Sequence, residues 1–446
     1  MSQPPRQMHL NLTLHSTGFH DGAWLHPTAE LDRIYNVKYF QRIARIAEEA
    51  KLDSIFIADT LYVQRESIKY GLNNSLDPVT LLTAIAGATE KIGLIGTIST
   101  SFSEPYNVAR ALATLDHISE GRAGWNIVTT YADAAALNFN LKNIPSLAER
   151  YERADEYVDV AIKLWDSWED GAIVLDRSTG VYVDPDRVHE IHHQGKYFNV
   201  RGPLNVPRPP QGRPLLVQAG SSEAGRELAA KYAEAIYTAQ QTLEEAKAFY
   251  QDLKARLPKH GRSPDQVKIL PGICTIVGST EAEAEEKFEE LQSLASTEYS
   301  LLQLSVKFGI DLRGYPLDQP FPELSELTQT KDYQSSRVEL ISDMAKRESL
   351  TLRQLLARVT AGRGHGNVIG TPVQIADRLE QWFKERAADG FNIMPQLMPG
   401  GLEDFVGLVV PELRNRGLFR TEYTGHTLRD NYGLARPDNR YTKVAL

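Results

Sequence analysis

Cysteine is nearly absent: Cys274 is the only one in 446 residues. No intrachain disulfide can form, so a small secreted scaffold stapled by cross-links is excluded, as is a cysteine-based zinc cage. Positive charge is in deficit as well. Lysine and arginine total 49 against 58 acidic residues, a formal charge of −9, the wrong sign for a nucleic acid or anionic membrane partner. No apolar run approaches the roughly 18 residues of a membrane span. The start, MSQPPRQMHLNLTL, lacks a basic segment followed by an apolar stretch of signal length. Together these absences predict a cytoplasmic protein in a reducing compartment. Apolar residues, by contrast, make up 42% of the chain, ample for one large core.

Short β-rich runs alternate with longer helical patterns. His9 to Leu14, Ser54 to Ala58, Ile92 to Ile98 and Ala123 to Val128 read as strands. Between them, apolar residues recur at three and four, as in Tyr39, Ile43, Ile46, Ala47 and Ala50, the signature of amphipathic helices. The rhythm resumes with strands at Pro214 to Gln218, Ala235 to Tyr237, Val267 to Val277 and Phe391 to Met394, each followed by a helix. Continuous apolar strands separated by such helices predict a parallel sheet covered on its faces. About eight units favour an α/β fold closed as a (β/α)8 TIM barrel, one domain over 1–446. Two stretches break the rhythm, about 169–213 and 296–370, and read as functional insertions, the second as a lid. The tail, 420–446, reads as polar and loop-like, suited to wrapping a neighbouring subunit.

Several motifs invite chemistry. His189-Glu190-Ile191-His192-His193 satisfies H-E-x-x-H, but that zinc site needs both imidazoles one turn apart on a helix. Here the pentad lies in a turn-rich segment, so no metal site is expected. Gly362-Arg363-Gly364-His365-Gly366 lacks the third glycine of a dinucleotide loop, since position 367 is Asn367. It reads as a mobile or close-packed loop in which His365 is a candidate ligand contact. In Gln218-Ala219-Gly220-Ser221-Ser222-Glu223 a buried strand ends, Gly220 permits a sharp turn, and two hydroxyls open a helix. Exposed amides there favour a phosphate; a simple serine N-cap accounts for the pattern equally well. Asp59 and Thr97 fall at strand ends on the face where barrels bind ligands, though each could equally cap the next helix. Asn126 is placed to point into the barrel mouth, and Tyr151 begins a helix near the same rim. Cys274, in an apolar strand, reads as an inert core thiol. No protein nucleophile stands out, which suits a cofactor that carries the chemistry itself.

Longer segments carry a resemblance. Gly22-Ala23-Trp24, Ile57-Ala58-Asp59, the run Glu104 to Arg110, Thr114 to Ser119, Gly121 to Thr129, Glu149-Arg150-Tyr151, Gly202 to Pro214, Gln218 to Ser222 and Asp389 to Asn392 resemble the bacterial luciferase-like flavin monooxygenases. The likeness covers most of the chain and is greatest to the branch containing nitrilotriacetate, EDTA and dibenzothiophene-sulfone monooxygenases. It implies a (β/α)8 barrel taking FMNH2 from a separate NAD(P)H:flavin reductase. With O2 such a protein oxidises a small organic substrate at or next to nitrogen or sulfur, and forms a homodimer or homotetramer. The family's flavin contacts fall on Asp59, Thr97, Tyr151, Ser221 and Ser222. With Asn126 and Gly220 these complete the expected FMN set, and Asp59 and His365 are the expected residues near the reacting centre. Two positions depart from the pattern: Leu147 replaces a histidine that contacts flavin, and Leu25 replaces an arginine suited to anionic substrates. The segment between Asp59 and Asp77 is also shorter than usual, which alters the pocket mouth. An oxidoreductase of the same fold using the deazaflavin F420 and a non-catalytic flavin-binding protein are the alternatives.

Overall fold

The barrel strands are buried on both faces, because one face meets the barrel interior and the other a layer of helices. The computed structural model describes residues 6–65, 68–71, 76–322 and 336–442. Four parallel strands open the barrel: β1 (His9–Thr13), β2 (Ser54–Ile57), β3 (Gly93–Ser99) and β4 (Ala123–Val128). Two short antiparallel hairpins follow outside it, β5 (Ile173–Asp176) with β6 (Val181–Val183) and β7 (His193–Gln194) with β8 (Asn199–Val200). The barrel resumes with β9 (Leu215–Gln218), β10 (Ala235–Thr238) and β11 (Lys268–Val277), then β12 (Gly366–Gly370) and β13 (Gly390–Pro395). Eight of these close a ring: β1 pairs with β2 and β13, and β10 with β9 and β11, all parallel. The eight-stranded barrel expected from the alternation is the observed fold.

Alternation along each strand sorts the core. Leu10, Leu12, Ile55, Phe391 and Ile393 pack outward with the helices Val37–Glu49 and Pro372–Lys384. Trp125 meets Tyr157 and Trp165 of the helix Leu147–Asp166. Inside lie Phe56, Ile95, Leu215, Val217, Ala235, Tyr237 and Leu270. Helix starts follow local chemistry: Asp77 accepts from the Thr80 amide ahead of Pro78, and Ser146 with Glu149 forms a capping box.

The glycine-rich stretch departs from the sequence reading. It is not wholly a loop: β12 runs along Ile273–Val277 of β11. Residues 272–275 already hold β13 on the other edge, so β12 takes up the edge that β10 covers lower down. The length of β11, 10 residues, makes room for both. Within 296–370, the helices Thr297–Phe308, Ser336–Arg347 and Leu352–Gly362 share a core of their own around Leu304, Phe308, Ile341 and Leu355; residues 323–335 of that segment lie outside the described residues. The tail also departs from a loose extension. Its helix Leu428–Asn431 and Tyr432 enter the barrel's lower end against Phe56, Ile95 and Leu270; residues 443–446 lie outside the described residues. Among the described residues no helix is long and apolar enough to cross a membrane.

Candidate active site

Strand ends on the upper face gather the polar residues. Thr97 donates to the Ile57 carbonyl at 2.8 Å, and the Asn126 amide donates to the Thr97 hydroxyl at 3.0 Å. Thr97 and Asn126 are register partners in β3 and β4, so this contact follows from strand pairing. Asp59 follows β2 and accepts from the Thr60 amide at 2.9 Å.

A second group sits beyond β9 and β10. Ser222 caps the helix Glu223–Tyr232, accepting from the Gly225 amide, and its hydroxyl donates to the Tyr151 hydroxyl at 3.4 Å. The Ser221 and Thr238 hydroxyls are 3.2 Å apart, and Gln240 donates to Thr238 at 3.0 Å. Gly220 and Gly225 face each other below Tyr151: a Cβ on Gly220 would lie 2.9 Å from the Tyr151 oxygen, and one on Gly225 3.0 Å. The glycines leave room for the Tyr151 hydroxyl and the Gln218 amide, forming a tight cradle at a helix start whose first amides have no intrahelical acceptor.

Two buried amide oxygens, Oδ1 of Asn126 and Oε1 of Gln218, have no hydrogen-bond partner among the described residues. Both residues are only 3–4% exposed, and such orphans are costly unless a bound group satisfies them. Orphaned acceptors, hydroxyls and a helix-start cradle on one rim match the donor set of a ring-bearing phosphate ester. The residues present fit FMN.

His365 lies on the far side of the ring from β4. A Cβ on Gly272 of β11 would meet its Nδ1 at 2.4 Å, so the imidazole stands over Gly272, close to Met394. Asp59 follows β2 and His365 precedes β12 and stands over β11, so β1 and β13 lie between them. In the H-E-x-x-H pentad His189 pairs with Glu169 at 2.7 Å, while His193 pairs with Glu156 at 3.1 Å. Among the described residues no cluster could hold a metal ion. Cys274 is fully buried in β11.

A cavity of about 360 Å³ opens beside β1 and β2, lined by Ile57, Ala58 and Thr60 around Asp59, and by His15, Asp21, Tyr62, Tyr131, Tyr299, Lys307 and Arg363. It faces the cradle across the barrel, since β1 and β9 are four places apart in an eight-strand ring. Arg363 binds Asp21 Oδ1 through Nη2 at 3.1 Å. Burial, helped by Arg363, pushes the His15 and His20 imidazoles down to about 3, so both are neutral at pH 7. Burial also raises the Asp21 carboxyl, with Arg363 and Lys307 opposing. Sequence reasoning missed this lining, because its residues come from separate segments and form no motif.

A family model described as luciferase-like monooxygenase matches residues 13–390. The chain is 48% identical to nitrilotriacetate monooxygenase component A of Aminobacter aminovorans, over 98% of this chain and 99% of that protein. It is 46% identical to N-acetyl-S-(2-succino)cysteine monooxygenase of Bacillus subtilis, over 99% and 100%. A crystal structure of riboflavin lyase with modified FMN and riboflavin superposes with a TM-score of 0.87 at 32% identity, over 98% of each chain.

Proposed function

The chain belongs to the luciferase-like monooxygenase family and is a two-component, FMNH2-dependent monooxygenase; we propose how its own residues hold the flavin and which substrates it takes. A separate reductase component supplies the FMNH2, and a small organic substrate is oxidised. Bound FMNH2 supplies the electrons that reduce O2, one oxygen atom of which enters the substrate.

The observation that carries the binding mode is the pair of orphaned acceptors, Asn126 Oδ1 and Gln218 Oε1, beside the Gly220–Gly225 cradle. The Ser221 and Ser222 hydroxyls, with the first amides of the helix Glu223–Tyr232, hold the phosphate. Tyr151 closes over it. Thr97 and Asn126 receive polar edges of the ring system on the β3–β4 rim, and Asp59 faces it from β2. The aliphatic residues and tyrosines in the cavity wall, Ile57, Tyr62 and Tyr131 among them, would limit the access of water to the reacting centre. His365, standing over Gly272, orients from the β11 side.

The substrate reacts at or next to nitrogen or sulfur, where an electron-rich centre accepts oxygen most readily. The reductase uses NAD(P)H, and the enzyme is a homodimer or homotetramer acting in the cytoplasm. One experiment tests the reading: the protein, FMN, a flavin reductase, NADH and ¹⁸O2 with amine, thioether and sulfone substrates, analysed by product mass. Heavy oxygen in product above the flavin-only control is expected, and its absence across all three classes would refute it. Ser221→Ala with Ser222→Ala is expected to weaken FMN binding by roughly tenfold or more, as loss of hydrogen bonds to a charged group does. Unchanged affinity in a fluorescence titration would remove the phosphate from this corner.

A further inference from the structure

Thr238 ends β10, and Ser221 follows β9, its neighbour in the ring. Their hydroxyls lie 3.2 Å apart, and distance alone lets either be the donor. Gln240 fixes the direction. Its amide nitrogen can only donate, and it donates to Thr238 Oγ1 at 3.0 Å. Thr238 is 3% exposed and Gln240 8%, so both are shielded from solvent. Were Ser221 the donor, the Thr238 oxygen would accept twice, and its own proton would be buried with no acceptor among the described residues, a costly arrangement. Thr238 therefore donates to Ser221, which leaves the Ser221 proton free to point into the cradle. The neighbouring pair runs the same way. Ser222 accepts from the Gly225 amide at 3.2 Å and donates to the Tyr151 hydroxyl at 3.4 Å, leaving the phenolic proton free as well. Hydroxyls aimed outward as donors, at a helix start, suit a group that only accepts.

We infer that Gln240, acting through Thr238, is a positioning residue: it turns the Ser221 hydroxyl into a donor toward the flavin phosphate and so raises the preference for FMN over riboflavin, which ends in an alcohol there. The inference rests on the FMN reading of this corner and deepens it, because neither Gln240 nor Thr238 is among the flavin contacts that the family resemblance implies.

The test is a fluorescence titration of the purified full chain with FMN and with riboflavin. Gln240→Met removes the amide at similar volume, and Thr238→Val removes the hydroxyl. Each is expected to weaken FMN binding roughly threefold to tenfold, the scale of one hydrogen bond, while riboflavin affinity stays within about twofold. Thr238→Ser, which keeps the hydroxyl, should retain the parent's FMN affinity. In a Ser221→Ala background neither Gln240→Met nor Thr238→Val should weaken FMN further, because the hydroxyl they steer is gone. A residue that merely packs would affect both flavins alike and in both backgrounds, and that outcome overturns the inference. Unchanged FMN affinity in Gln240→Met and Thr238→Val overturns it too. Ser221→Ala separates the two readings. If it weakens FMN binding while the Gln240 and Thr238 variants do not, the phosphate stays at this corner and only the relay falls; if it also leaves FMN affinity unchanged, both fall.

Discussion

His20 shows how one residue near the site ties stability to pH. It is 2% exposed, its Nδ1 accepts from the Gly22 amide at 3.0 Å, and burial plus Arg363 hold its imidazole down to about 3. In the unfolded chain the same group titrates near 6.5. Between those values the unfolded state binds the extra proton, so its contribution is complete above pH 6.5 and is lost as pH falls. By pH 5 the loss is about 2 kcal/mol. His20→Asn keeps an acceptor for Gly22 but removes the titration. Urea unfolding at pH 7 and pH 5 should therefore show the parent losing about 2 kcal/mol more than the variant; equal losses would acquit His20. At this scale the sequence was only partly readable. Ser222 and Asn126 announced themselves through strand ends and helix starts, whereas Lys307 and Arg363 are ordinary surface residues until folding brings them to one wall.

The elements were more legible than the residues, for a physical reason. A strand buried on both faces is a short apolar run, and a helix against a barrel has an apolar stripe, so both leave periodic traces. The strand Gly366–Gly370 left none: two glycines bracket three residues, and it exists only because β11 extends past β10. The insertion's helices were visible in part, but their shared core around Leu304, Ile341 and Leu355 could not be inferred from any one of them. That core is separate from the barrel's, so it should open on its own. Leu355→Ala removes a fully buried side chain and should cost about 2–5 kcal/mol within the insertion. Hydrogen exchange checks this: amides of 297–308 and 352–362 should exchange faster while those of β1–β4 keep their protection. Faster exchange throughout would mean that insertion and barrel unfold as one unit.

For the whole molecule, the main departure from the sequence reading is the closed lower end of the barrel. Leu428 and Tyr432 fill it from the tail, and two ion pairs fix them there. Arg420 binds Asp53, and Arg429 grips Glu234 through Nη1 at 2.5 Å and Nη2 at 2.8 Å. Burial alone would raise both carboxyls. Arg420 and His9 hold Asp53 below its usual range, and Arg429 with Arg213 does the same for Glu234. A polar-looking tail thus becomes core, because its arginines neutralise acids that the barrel has already buried. Breaking such a pair from one side strands the other charge, a cost of about 3–5 kcal/mol, whereas neutralising both partners recovers most of it. Arg429→Met should fall in that range in chemical denaturation. Arg429→Met with Glu234→Gln should regain a large part, because the glutamine oxygen still accepts from the Leu216 amide, which Glu234 holds at 3.0 Å. A double variant no more stable than Arg429→Met would mean that the tail's packing, rather than the stranded charge, governs the barrel's lower end.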